Sequence, residues 1–130
     1  MRSAVFSRAA STKRGIEAGI CCAVLHGFGH DGVPGDLLED FLDRIRDAGQ
    51  HKIFVVGARA VSGLLSPAGL GFAYAAIAEA VIRIALREVE RRFAQEHGKV
   101  PGGRMAVLGM GRLGSREMTA TSDLDLVALY

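Results

Sequence analysis

What this chain has little of narrows its class first. Its only two cysteines, Cys21 and Cys22, are adjacent, and a bridge between neighbours is strained, so a disulfide framework of the secreted kind is excluded. An excess of one charge is also missing. Sixteen Lys and Arg stand against fourteen Asp and Glu, for a net +2, with no basic cluster in the body of the chain, which argues against nucleic acid or a membrane surface as partner. The uncharged stretch from Ala68 to Ala78 is shorter than the ~18 apolar residues a membrane-spanning helix needs, and Glu79 and Arg83 follow at once. The apolar run Ile20 to Leu25 is short and ends at His26, unlike a secretory signal. Internal repeats, low-complexity tracts and a Gly-x-x-x-x-Gly-Lys-Ser/Thr phosphate loop are absent.

What is present fits one modest domain or part of one: 130 residues, 49% hydrophobic, enough to build a core. Residues 1–33 read as a poorly ordered lead-in, 34–98 as a helical scaffold and 99–130 as the start of a second, incomplete unit. In the lead-in, Arg2, Arg8, Lys13 and Arg14 precede the first acid, a faint targeting-peptide pattern. Cys21, Cys22, His26 and His30 are read as free thiols and surface histidines, because Gly27 and Gly29 interrupt any helix that would align them on a metal.

In the scaffold, Asp36 can cap a helix whose apolar positions Leu37, Leu38, Phe41, Leu42 and Ile45 recur at helical spacing and which should end near Gly49. A second helix, His51 to Ser62, is expected to bury Ile53, Phe54, Val56, Ala60 and Val61. Ser66-Pro67 reads as an N-cap with proline in the first turn of a third, long helix that ends at His97-Gly98. Its alanines, Ala75, Ala76, Ala78, Ala80 and Ala85, allow close packing against a sheet edge or partner helix. The pairs Glu79–Arg83 and Glu88–Arg92 are expected to dress its water-facing side.

The last stretch carries the chemistry. Met105 to Met110 reads as a strand, Gly114-Ser115 as a turn with a short helix starting near Ser115 and reaching Met118, and Leu124 to Leu129 as a second, antiparallel strand. Alternation along that strand would point Asp123 and Asp125 one way and Leu124 and Leu126 into the core. Two neighbouring carboxylates repel unless compensated, and a pair of divalent ions about 3.5–4 Å apart would do so while activating a hydroxyl for in-line displacement. The plainer alternative is a strand-entry pair with Ser122-Asp123 in a turn. Gly114 lets the backbone approach a ligand, and Ser115 adds a hydroxyl beside N–H groups at a helix start, which attract phosphate. Arg112 and Arg116 flank the turn as phosphate contacts or as solvated surface arginines. Gly109-Met-Gly111-Arg-Leu-Gly114 also spells a dinucleotide-binding fingerprint, but too little chain follows for the crossover helix that motif requires.

Leu113-Gly114-Ser115 followed by Asp123-Leu124-Asp125 resembles the signature of nucleotidyltransferases of the DNA polymerase β type. The fuller string Gly111-Arg-Leu-Gly-Ser-Arg-Glu-Met-Thr-Ala-Thr-Ser-Asp-Leu-Asp-Leu126 is similar to the bacterial glutamine synthetase adenylyltransferase and deadenylylating enzymes. With Phe54-Val-Val-Gly-Ala-Arg-Ala-Val-Ser-Gly63 upstream, the wording around Met118 looks more like the AMP-adding half of those enzymes. The resemblance runs weakly from about Phe41 and strongly from about Gly102.

That resemblance implies an α+β fold, a helical lead-in followed by the first strands of a polymerase β-type core. It implies AMP transfer from ATP to a tyrosine of glutamine synthetase, or its phosphorolytic removal, in control of nitrogen assimilation. Mg²⁺ would be held by Asp123 and Asp125, and ATP phosphates by Gly114, Ser115, Arg112 and Arg116. Glutamine synthetase would be the partner, with no nucleic acid or membrane, in the cytoplasm. Members of the family place a third metal carboxylate on a later strand. The chain is therefore expected to be a fragment, inactive alone. The competing readings are a non-catalytic helical interaction fragment and a dinucleotide-binding fragment.

Overall fold

A helix that begins on the Ser66-Pro67 signal organises the described part of the chain. A computed structural model describes residues 4–6, for which only the backbone is considered, and 37–130. The Asp36 cap and the residues Cys21, Cys22, His26 and His30 lie outside the described residues, as does the rest of the lead-in apart from Ala4–Phe6.

The two shorter expected helices are one: α1 runs without a break over Leu38–Val61. Gly49 does not end it, because a lone glycine costs a helix only ~1 kcal/mol and here it serves packing. A Cβ at Gly49 would stand 3.2 Å from Val81 Cγ2 on the neighbouring helix. Continuity also explains why two expected core residues face water. Phe54 and Val61 are 73% and 92% exposed. Each lies five positions beyond a buried residue, Gly49 and Val56, about 140° around the helix from that stripe.

The second helix, α2, spans Pro67–His97, with the Ser66 hydroxyl accepting from Gly69 N at 3.1 Å. It stops at Gly98, whose φ of 80° suits a residue without Cβ. Both ends match the sequence reading. By length and composition α2 would reach across a bilayer, which corrects the expectation that its apolar stretch falls short; half of its most apolar window is buried inside the protein. The covering surface is α1. Phe41, Ile45 and Val56 pack against Ala73, Ala75, Ile77, Ala80 and Ile84, with Leu113 and Met118 completing the same core.

Of the glutamates expected to dress the water-facing side of α2, neither Glu79 nor Glu88 faces water. Glu79 and Glu88 are both buried, and Glu88 continues the buried stripe of Ile77, Ala80 and Ile84. Burial is tolerated because each carboxylate is paired. Glu88 accepts from Arg91 Nη2 at 2.6 Å and from Arg92 Nε at 2.7 Å, and these bonds, Arg91 foremost, pull its pKa down to about 2 against the opposing effect of burial.

Beyond α2 the chain turns to strands. β1 (Ala4–Phe6), β2 (Ala106–Gly109) and β3 (Leu126–Leu129) form an antiparallel sheet in the order β1-β2-β3. The architecture is α+β, a helical pair with a small antiparallel sheet. Strand β1 falls within the stretch read as lead-in and was not anticipated. β2 and β3 are shorter than expected at their ends, and β3 is exposed throughout. Leu124 and Leu126, expected in the core, are 45% and 42% exposed, because the core lies between the helices and no described element covers that face of β3.

Candidate functional site

The site is built where β2 hands over to β3. After Gly109 the chain enters a short helix, α3 (Gly111–Ser115), whose first residue has φ 53°. Leu113, fully buried, and Met118 anchor this segment in the helical core. Thr119 to Ser122 then closes a turn: Ser122 N donates to Thr119 O at 3.2 Å, and Thr119 N donates to Ser122 Oγ at 2.9 Å. The polar residues that spoil helix here make a side-chain-closed turn instead.

The register carries the aspartates back to α3. Gly109 is opposite Leu126, and the ladder continues by one bond, Met110 N donating to Asp125 O at 2.8 Å. The Asp125 carboxylate then lies over the start of α3, where a Cβ on Gly111 would meet its Oδ2 at 2.8 Å. Glycine suits the position, because φ 53° is unfavourable for other residues and a Cβ would displace the Asp125 carboxylate.

Asp123 and Asp125 precede β3 and are exposed. The expectation that the strand begins at Leu124 and so contains Asp125 is therefore corrected. Among the described residues no cation pairs with either carboxylate, and no group of three or more His, Cys, Asp or Glu gathers as for a metal ion. Two carboxylates, not a closed cage, are what these residues offer.

The helix start is also relocated. α3 begins at Gly111 rather than near Ser115, so Gly114 and Ser115 stand at its C-terminal end. Gly114 N already donates to Met110 O at 3.1 Å and Glu117 N to Arg112 O at 3.0 Å. Attraction of phosphate by free N–H groups at a helix start therefore does not apply at Ser115. The Ser115 hydroxyl sits 3.4 Å from both Arg112 O and Glu117 Oε2, long contacts that leave it ready for a better partner.

The two arginines part company. Arg112 is exposed and pairs with no acid among the described residues. Arg116 turns toward α2, where Nη2 donates to Glu79 Oε1 at 2.9 Å and its guanidinium carbon lies 4.8 Å from the Phe72 ring centroid. Burial raises the pKa of Glu79, and Arg116, then Arg83, pull against that rise. Between the start of α2 and this turn runs an open cleft of about 760 Å³, lined by Pro67, Gly71, Phe72, Ser115, Met118 and Ala120 among others.

Sequence reasoning missed Glu79 and Phe72. The available signal was a lone acid at the end of the uncharged run Ala68 to Ala78, in phase with buried alanines. The dinucleotide reading fails on topology, since β2 and β3 are antiparallel whereas that motif joins parallel strands through a full helix.

The glutamate-ammonia ligase adenylyltransferase family model matches residues 31–130, starting earlier than the string of motifs suggested. Among curated proteins, the bifunctional glutamine synthetase adenylyltransferase/adenylyl-removing enzyme of a Bradyrhizobium species is 48% identical over 92 residues, covering 71% of this chain and 9% of the relative. The enzyme of the same name from Xanthobacter autotrophicus is 50% identical over 95 residues, covering 73% and 10%. That from Mesorhizobium japonicum is 45% identical over 92 residues, covering 71% and 9%. The chain thus spans about a tenth of the length of the curated relatives it matches. No solved structure matches it.

Proposed function

The chain belongs to the glutamate-ammonia ligase adenylyltransferase family, and from that premise we propose that residues 99–130 form part of a site that moves AMP from ATP to a tyrosine of glutamine synthetase, or removes it by phosphorolysis. Residues 34–98 serve it as a helical scaffold, and the setting is the cytoplasm. The observation that carries this reading is the Met110–Asp125 backbone bond at 2.8 Å. It brings Asp125 to the start of α3, the short helix whose other end holds Gly114 and Ser115, and this supports reading the two halves of the motif as one site.

Asp123 and Asp125 hold Mg²⁺ in this reading. Two exposed carboxylates free of competing cations suit an ion that takes one or two carboxylates and fills its shell with phosphate oxygens and water. When bound, Mg²⁺ supplies neutralisation of the triphosphate and of the departing pyrophosphate. Ser115 donates its hydroxyl to a phosphate oxygen, and Gly114 leaves room for that approach. Arg112 adds charge from the solvent side. Because α3 presents its C-terminal end here, the attraction rests on these groups and not on the helix dipole. The tyrosine hydroxyl of the partner attacks the α-phosphorus, and pyrophosphate leaves.

Calorimetric titration of the chain with ATP tests the site. Binding that requires Mg²⁺ and disappears in Asp125→Asn is the expected outcome. Equal binding with and without Mg²⁺, or in the variant, contradicts the assignment.

A further inference from the structure

We propose that Glu79 is a positioning residue for the Gly114–Ser115 turn, acting on it from α2 through Arg116. Its consequence for nucleotide rests on the reading above, but its geometry does not.

Arg116 is the only described residue other than glycine with positive φ, at 60°. Its backbone closes the C-terminal end of α3, where its N–H donates to Leu113 O at 3.2 Å, a left-handed ending common to helices. Its side chain is held from α2. Glu79 accepts from Nη2 at 2.9 Å across a sequence separation of 37 residues, and Phe72 lies beneath the guanidinium. At Gly71 the helix touches the backbone itself, where a Cβ would stand 3.3 Å from Glu117 Cα and 3.4 Å from Arg116 O.

The pair differs from a surface ion pair, which holds little. The Glu79 carboxylate is buried, so without Arg116 it would be a buried acid with less compensation, and the turn is bound to follow its arginine. Ser115 precedes Arg116 directly. Any movement of Arg116 therefore moves the hydroxyl assigned to phosphate. The motif string from Gly111 to Leu126 is thus incomplete by itself, since its shape depends on an acid in the preceding helix. Glu88 provides the contrast: it is equally buried, but its partners among the described residues are Arg91 and Arg92 of its own helix.

The test uses ¹⁵N-labelled full chain and compares Glu79→Gln, Glu79→Asp and Glu88→Gln. Backbone amide signals of Gly114, Ser115 and Glu117 report the turn, and Mg²⁺-ATP titration reports its use. Glu79→Gln is expected to move those signals and weaken Mg²⁺-ATP binding about tenfold, as for loss of a charged contact. Glu79→Asp should restore part of both, while Glu88→Gln lowers the melting temperature and moves neither. Unmoved amide signals in Glu79→Gln overturn the positioning role even where Mg²⁺-ATP binds. Moved signals in a chain that takes up no Mg²⁺-ATP uphold the positioning and overturn the nucleotide reading instead. If Glu79→Gln does not fold, Phe72→Leu carries the same comparison.

Discussion

Leu113 is the residue on which the motif helix is pinned. It is fully buried between the helical core and the strands, so Leu113→Ala should destabilise the chain by about 2–5 kcal/mol, read from urea denaturation. Glu88 makes a different demand. Its pKa is lowered to about 2, below its unfolded value, so its contribution is present above the unfolded pKa of 4.5 and is lost as pH falls toward 2. Glu79, with its pKa raised, acts in the opposite sense, favouring the folded state on the acid side and losing that contribution as pH rises through its folded pKa. Melting curves between neutral and acid pH should therefore show Glu88→Gln flattening the acid-side loss of stability. An unchanged acid limb in that variant would contradict the pairing. At this scale the aspartates and the Gly-Ser pair were legible because their types and spacing carry chemistry. The partner of Arg116 was not, because no local pattern records a contact across 37 residues.

Among the elements, α2 was legible from end to end: Ser66, Pro67 and Gly98 are local signals with local causes. α1 was not, since Gly49 resembles a stop when its neighbour is unseen. Its role is steric, so Gly49→Leu should drive a side chain into Val81 and cost about 1–3 kcal/mol, checked by the midpoint of urea unfolding. A variant as stable as the parent would show that the helices do not meet there. The placement of α3 misled for a related reason. Helical residues were sought after Gly114 by propensity, whereas the backbone turns at Gly111, under the Asp125 carboxylate, a tertiary contact that propensity cannot contain.

Among the described residues, the buried side chains of Leu113 and Met118 tie the segment that follows β2 into the core of the helical pair. The α+β class followed from the family resemblance and from helices up to His97-Gly98 succeeded by two strands with a short connection. The exposure of β3 did not, since alternation in sequence predicts a buried face only where another layer is there to cover it. The chain spans about a tenth of its relatives' length, so AMP transfer is best tested with this segment inside a complete enzyme. The decisive measurement replaces the matching segment of the Bradyrhizobium relative with residues 31–130 of this chain and follows labelled AMP from ATP onto glutamine synthetase in Mg²⁺. Transfer by the parent graft and its loss in Asp125→Asn, with an unchanged melting temperature, is the predicted result; undiminished transfer by Asp125→Asn would contradict the assignment of that carboxylate to the metal.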